Sequence, residues 1–141
     1  MKYVTSCICG AVKIEIDNPD PNFTVCHCYM CRTWGGGPLF AIKCGSEVVF
    51  SGNDKIKQYT SSPWAKRGFC GECGTHLFYK LIDTQEYNIP LGLLPSLPGL
   101  KMSIQYFSDM RPNYYCFTNK TLEMTTEDIV SFFSHKINPT T

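Results

Sequence analysis

Seven cysteines of this 141-residue chain fall into three close clusters with short, fixed spacings. The spacings are C-x-C, C-x-C-x-x-C and C-x-x-C, formed by Cys7 and Cys9, by Cys26, Cys28 and Cys31, and by Cys70 and Cys73. Thiolates at such spacings are typical zinc ligands. Cys44 and Cys116 stand alone in apolar runs, where we expect buried thiols that act as small hydrophobic side chains. The clusters therefore predict metal binding.

Composition favours metal over disulfides and argues against several classes of partner. With 13 basic and 12 acidic residues the net charge is +1, which does not suggest a surface built for nucleic acid or an acidic membrane. The segment Met1–Cys7 has no apolar core of a signal peptide, and no apolar run approaches membrane-spanning length. We expect one soluble, cytoplasmic domain over residues 1–141, and cytosolic thiols remain reduced.

The elements that must position these cysteines are predicted to be mainly β. Short stretches of alternating or β-branched residues are separated by turn signals, as in residues 11–16, 23–26, 38–43, 47–50, 55–60, 66–69, 75–81, 87–94, 102–107 and 114–118. One helix is predicted at the C-terminus. Thr125 to Asp128 offers a start similar to a capping box, and Ile129, Phe132 and Phe133 form one apolar face.

One closed site follows from combining the first and last clusters. Two residues between Cys70 and Cys73, followed by Gly74, allow both sulfurs to reach one ion in a zinc knuckle. A C-x-C pair on a regular strand splays its sulfurs, so Cys7 and Cys9 are predicted to lie in a turn. Together these residues supply four thiolates, which is the pattern of a structural zinc.

The remaining cluster, Cys26-His27-Cys28-Tyr29-Met30-Cys31-Arg32, supplies three thiolates and leaves a fourth position for water or a substrate thiolate. Three protein ligands with an open position are typical of a catalytic zinc. Three alternatives stay open. His27 could complete a structural site, although it lies between two ligands and is expected to point away. Cys28 and Cys31 could form a redox disulfide. The clusters could also divide differently.

The motifs Cys7-x-Cys9-Gly10, Cys26-His27-Cys28-x-x-Cys31-Arg32 and Phe69-Cys70-x-x-Cys73-Gly74-Thr75 resemble those of the glutathione-dependent formaldehyde-activating enzymes. The domain is also similar to that of the centromere protein V group. The resemblance implies a Mss4-like fold of short antiparallel sheets around zinc sites. It implies a structural zinc on Cys7, Cys9, Cys70 and Cys73. It also implies a catalytic zinc on Cys26, Cys28 and Cys31, a site that can be partly occupied.

The activity implied by the resemblance is carbon–sulfur bond chemistry of the S-(hydroxymethyl)glutathione synthase or lyase type. The substrates would be a small thiol such as glutathione and an aldehyde, without nucleic acid or membrane partners. Arg32 could hold a carboxylate of the substrate, and a structural arginine is the alternative. The rival function is a zinc-stabilised binding module without catalysis. A redox protein similar to methionine sulfoxide reductases would need an exposed cysteine free of metal.

Overall fold

The computed structural model describes residues 1–137, and the side chains of residues 1–132. The chain forms two compact units, each built from two separate segments: residues 1–21 with 41–100, and residues 22–40 with the described residues from 101 on. Strands predominate over the described residues taken together, so the predicted mainly β class is confirmed. The single domain over residues 1–141 stays a prediction. No helix among the described residues is long and apolar enough to cross a membrane.

The first unit contains two antiparallel sheets. One has the order β1–β2–β5, with the bounds Lys2–Ser6, Lys13–Asp17 and Val48–Ser51. The other has the order β4–β9–β8–β7–β6, with the bounds Leu39–Lys43, Tyr87–Pro90, His76–Leu81, Ala65–Cys70 and Ile56–Ser62. Alternation in β2 buries Ile14 and Ile16 completely and leaves Lys13 and Asp17 exposed. The buried face of β2 is part of the core of this unit, which also carries Cys7, Cys9, Cys70 and Cys73.

The second unit is built on a short parallel sheet in which β10 (Lys101–Tyr106) lies between β3 (Asn22–Cys26) and β11 (Leu122–Met124). Val25 is fully buried on β3, and Gln105 is 2% exposed on β10. The register places Cys26 beside Tyr106, and the amide of His27 donates to the Tyr106 carbonyl at 3.0 Å. The sheet thus fixes the strand end from which the three-cysteine segment departs.

A short helix, α1 (Tyr29–Gly35), follows directly and was not predicted from the sequence. Cys28 is its N-cap, and the Sγ atom accepts a hydrogen bond from the Cys31 amide at 3.3 Å. Gly36 ends the helix at φ +84°, and its amide donates to the Arg32 carbonyl at 2.8 Å. This left-handed C-terminal cap is the conformation that glycine adopts at least cost. The helix is therefore defined by a thiol at one end and a glycine at the other.

The predicted C-terminal helix is confirmed as α2 (Thr126–Ile137). Its capping box is also confirmed, because the Thr125 amide donates to Asp128 at 2.9 Å and the Asp128 amide donates to Thr125 Oγ1 at 3.2 Å. The predicted apolar face is only partly buried, since Ile129 is 6% exposed and Phe132 is 52% exposed. The side chain of Phe133 lies outside the described ones.

Three predictions about local structure are wrong. Residues 114–118 form no strand, because β11 takes the edge of β10 on which the segment would have to pair. The strand predicted over residues 87–94 ends at Pro90, and Leu91–Leu93 form a 3-10 turn. Cys116 is exposed rather than buried, whereas Cys44 is buried as expected.

Candidate metal centres and their pocket

The structure brings Cys7, Cys9, Cys70 and Cys73 together as the sequence predicts, with their sulfurs all within 4.8 Å of one another. Cys7 and Cys9 lie in a turn, as expected, in which the Gly10 amide donates to the Cys7 carbonyl at 3.1 Å. Cys70 ends β7, and the knuckle is closed by the Gly74 amide, which donates to the Cys70 carbonyl at 2.8 Å. The donor set is that of a four-thiolate zinc site.

Hydrogen bonds to the sulfurs surround this four-cysteine cluster. The Val12 amide donates to Cys7 Sγ at 3.3 Å, and the Glu72 amide donates to Cys70 Sγ at 3.4 Å. Thr75 Oγ1 accepts from the Ile8 amide at 3.1 Å and lies 3.1 Å from Cys73 Sγ. Hydrogen bonds from the Thr75 hydroxyl and from the backbone of Thr75 and Cys9 lower the pKa of Cys73 to about 5. Donors aimed at sulfur stabilise thiolates, which are the form that binds metal.

The second cluster contains the sulfurs of Cys26, Cys28 and Cys31, which also lie within 4.8 Å of one another. The thiols of Cys28 and Cys31, through hydrogen bonding and through charge, raise the pKa of Cys26 far above its ordinary value, and burial adds to the effect. Three thiolates at this distance repel one another unless a cation lies among them. The chemistry of the donor set therefore fits a bound metal ion.

His27 does not complete this second cluster. Its ring is fully buried and both nitrogens have other partners: Nδ1 lies 2.7 Å from the Tyr115 hydroxyl, and Nε2 lies 2.8 Å from Gln105 Oε1. Burial lowers the pKa of His27, and it raises the pKa of Tyr115. Among the described side chains no carboxylate or imidazole joins the three sulfurs as a fourth donor. The cluster therefore offers three protein ligands.

A pocket of about 600 Å³ lies next to the helix that carries Cys28 and Cys31. Two of its residues, Tyr29 and Arg32, directly follow those cysteines in the chain. The other lining residues are mainly aromatic or small: Thr33, Gly36, Gly37, Pro38, Phe40, Tyr114, Tyr115 and Phe117. Arg32 is the one charged residue of the lining, and its Nε atom donates to the His27 carbonyl at 3.0 Å. This bond fixes the direction of the guanidinium beside the pocket.

The aromatic side of the pocket was missed by the sequence interpretation. Phe117 packs on Phe40 at 5.6 Å between ring centroids, and Tyr115 stacks on His27 at 5.5 Å. The contact between His27 and Tyr115 joins residues 88 positions apart. Local spacing carries no signal for such a contact. The concentration of aromatic residues at 114–117 was the available hint, and it was interpreted as a strand.

The comparisons with known proteins point to one enzyme family. Residues 2–118 match the family model described as glutathione-dependent formaldehyde-activating enzyme. A Schizosaccharomyces pombe protein named as an uncharacterized lyase is 30% identical over 130 residues, covering 92% of this chain and 95% of that protein. A Halomonas elongata protein named as a putative glutathione-dependent formaldehyde-activating enzyme is 32% identical over 83 residues, covering 52% of each chain.

Among solved structures, a Rhodobacter sphaeroides protein superposes with a TM-score of 0.59 at 22% identity, covering 87% of this chain and all of that one. This likeness shows a shared fold. The family model spans most of the chain, and the Schizosaccharomyces pombe relative is matched over nearly its whole length. The chain belongs to the glutathione-dependent formaldehyde-activating enzyme family.

Proposed function

We propose that the protein is a zinc-dependent carbon–sulfur lyase or synthase that acts on a thiol–aldehyde adduct such as S-(hydroxymethyl)glutathione. The observation that carries the proposal is the cluster of Cys26, Cys28 and Cys31, which has three thiol donors and no fourth donor among the described side chains, while the residues directly after Cys28 and Cys31 line a pocket. A structural zinc site normally has four protein ligands. The family membership supports the same chemistry.

The metal ligands are proposed in two sets. Cys26, Cys28 and Cys31 would hold the catalytic zinc, which when bound favours the thiolate form of a substrate thiol. Cys7, Cys9, Cys70 and Cys73 would hold a structural zinc that ties the N-terminal turn to the knuckle after β7. None of the nine cysteines forms a disulfide, which suits the reducing cytoplasm that we propose as the location.

The reaction joins or separates a thiol and a carbonyl compound. In the forward sense the sulfur bonds to the carbonyl carbon, the carbon–oxygen double bond becomes single, and the thiol proton ends on the oxygen. The reverse sense breaks the carbon–sulfur bond and returns the proton to sulfur. Neither direction changes the oxidation state of the pair. The protein therefore has to bind, orient and shield the reactants rather than supply electrons.

The residues of the pocket suit these tasks. Arg32 would bind a substrate carboxylate with its guanidinium, which presents donors in a fixed fork. The rings of Phe40 and Phe117 would exclude water from the reacting atoms. A volume of about 600 Å³ lies within the range of small-molecule sites. It is far larger than formaldehyde needs, so the thiol component would occupy most of it.

The test is a measurement of adduct equilibration. Zinc-loaded protein is added to glutathione and formaldehyde, and magnetisation exchange between free glutathione and S-(hydroxymethyl)glutathione is followed by NMR. We expect exchange to be faster than in buffer, to slow to the buffer rate for Cys28→Ser, and to be unchanged for the exposed Cys116→Ser. Exchange at the buffer rate with fully loaded wild-type protein, for this and for longer aldehydes, would refute the proposal and favour a binding module.

A further inference from the structure

A chain of hydrogen bonds, buried at its centre, leads from Glu123 on β11 to the pocket. Glu123 pairs with Arg111 Nη2 at 3.3 Å, and Arg111 Nη1 donates to Gln105 Oε1 at 2.9 Å. The same Oε1 atom lies 2.8 Å from His27 Nε2, and His27 Nδ1 lies 2.7 Å from the Tyr115 hydroxyl. Gln105 is 2% exposed and His27 is fully buried. The chain therefore ends at a tyrosine of the pocket wall.

The direction of each hydrogen bond follows from Arg111. A guanidinium has donors only, so the Gln105 atom that it contacts must be the oxygen. The amide nitrogen of Gln105 agrees with this orientation, because it donates to Thr121 Oγ1 at 3.0 Å. Since Gln105 Oε1 can only accept, His27 Nε2 must carry a hydrogen. Neither ring nitrogen contacts a carboxylate, and the Arg111 guanidinium already occupies the same Gln105 oxygen, so nothing that the ring contacts favours a second proton, and Nδ1 is an acceptor.

The Tyr115 hydroxyl must consequently donate its hydrogen to His27 Nδ1. With that hydrogen committed, the phenol oxygen retains only lone pairs for any further partner. Tyr115 thus presents an acceptor to a ligand, although a tyrosine hydroxyl can in general act either way. A ligand placed against it has to bring an O–H or N–H donor.

We propose that Tyr115 is a specificity-determining residue that accepts a hydrogen bond from the hydroxyl group of an S-(1-hydroxyalkyl) thioether, with His27 as its positioning residue. The inference rests on the proposed function and names the part of the adduct that the pocket recognises. An S-(1-hydroxyalkyl) thioether carries a hydroxyl on the carbon next to sulfur, whereas a plain S-alkyl thioether lacks it. Arg32 would bind the carboxylate end, so that two contacts of opposite polarity orient the ligand.

Binding of a matched pair of ligands tests the proposal without relying on turnover. Wild-type protein and Tyr115→Phe are titrated by calorimetry with S-methylglutathione and with the hydroxymethyl adduct that glutathione and formaldehyde form in solution. The phenylalanine ring keeps the stacking on His27 and removes only the hydroxyl. We expect wild-type protein to prefer the adduct, and Tyr115→Phe to bind it about fivefold to a hundredfold more weakly with unchanged affinity for S-methylglutathione. Tyr59→Phe, an exposed change on β6, should keep the wild-type preference.

A second measurement reads the hydrogen-bond direction itself. Nitrogen-15 NMR of the histidine rings in the zinc-loaded protein should show His27 protonated at Nε2 and unprotonated at Nδ1. The Nδ1 resonance should move in Tyr115→Phe and stay in place in Tyr59→Phe. A hydrogen on Nδ1 would overturn the inference, because Tyr115 would then have its own hydrogen available for a ligand.

The outcomes separate this inference from the proposed function. The role of Tyr115 would be overturned if Tyr115→Phe lost affinity for both ligands equally, or for neither. The proposed function would still stand in that case, provided that the wild-type protein catalyses exchange. Failure of wild-type protein to bind either ligand would overturn both. If Tyr115→Phe loses affinity for the adduct and keeps its affinity for S-methylglutathione, the inference is supported. A tyrosine with a merely structural role would affect the binding of both ligands alike.

Discussion

The sulfurs of Cys9 and Cys70 lie 3.8 Å apart, although 61 residues separate the two cysteines in the chain. Cys9 belongs to an exposed turn near the N-terminus, and Cys70 is fully buried at the end of β7. Closing so long a loop is costly in chain entropy, and a metal ion held by both ends would offset that cost. The four-cysteine cluster is therefore the point where metal and fold stability should be most closely linked.

Cys70→Ser should abolish cooperative folding of the protein. Structural zinc in small sites contributes about 10–16 kcal/mol of apparent binding free energy, which matches or exceeds the net stability of an ordinary domain. Thermal unfolding followed by circular dichroism should show a broad or absent transition, and Cys116→Ser should melt like the wild type. A Cys70→Ser protein with an unchanged melting temperature would mean that the four thiols are not a structural site.

Mild chelation should remove metal from the three-cysteine cluster first. Three thiolates with an open position bind zinc less firmly than four, and the opening admits the chelator. We expect loss of about one zinc per chain from an initial two, with the melting transition retained. Cys28→Ser should also fold and carry one zinc fewer. Release of both ions in one phase, measured with a chromogenic chelator, would count against an open site.

Cobalt substitution should report a visiting thiol directly. Thiolate coordination to cobalt gives charge-transfer absorption that depends on the number of sulfurs bound, and a fourth sulfur can bind only at a site with three protein ligands. Adding glutathione to the cobalt-loaded protein should therefore increase this absorption, and S-methylglutathione should not. The increase should be absent in Cys28→Ser. A wild-type spectrum indifferent to thiols would indicate that both sites are closed.

Replacing Arg32 should weaken substrate binding more than it affects turnover. Arg32→Met removes a charged donor set from the pocket, and losing a hydrogen bond to a charged group typically weakens binding about tenfold to a hundredfold. Arg32→Lys keeps the charge and should recover part of the loss, but it lacks the Nε bond to the His27 carbonyl. Steady-state kinetics should show a raised KM for Arg32→Met and a wild-type KM for Lys66→Met, an exposed change on β7. Equal KM values for all of these proteins would exclude a carboxylate contact at Arg32.

Gly36→Ala should destabilise the protein by about 1–2 kcal/mol, because an alanine at φ +84° brings its Cβ too close to the backbone. A Cβ at this position would meet no other atom within 4 Å, so the cost is one of backbone conformation alone. Gly35→Ala is the matched control, since Gly35 is helical and its Cβ would also be in open space. Urea denaturation should show a lower midpoint for Gly36→Ala and an equal or higher one for Gly35→Ala. The reverse order would contradict the cap.

The two cysteine clusters could be predicted from the sequence because the grouping of potential ligands is encoded by spacing. Two residues between Cys70 and Cys73 permit one ion to be shared whatever the surroundings, and the C-x-C pair of Cys7 and Cys9 requires a turn in any fold. Most strands and the capping box of Thr125 and Asp128 were predictable for a similar reason, since alternation and side-chain capping act over a few residues.

The tertiary structure decided what lies beside the three-cysteine cluster. Helix α1 is only seven residues long and depends on a sulfur cap at Cys28, which no propensity scale predicts. The partners of His27 come from β10 and from the segment after it, and they lie 78 and 88 residues from His27 in the sequence. A strand was predicted over residues 114–118, but β11 takes the available edge of β10 and leaves Tyr115 to contact His27. Competition for one sheet edge is a global property of the fold, which is why the sequence determined the cysteine clusters and only the folded chain determined the pocket.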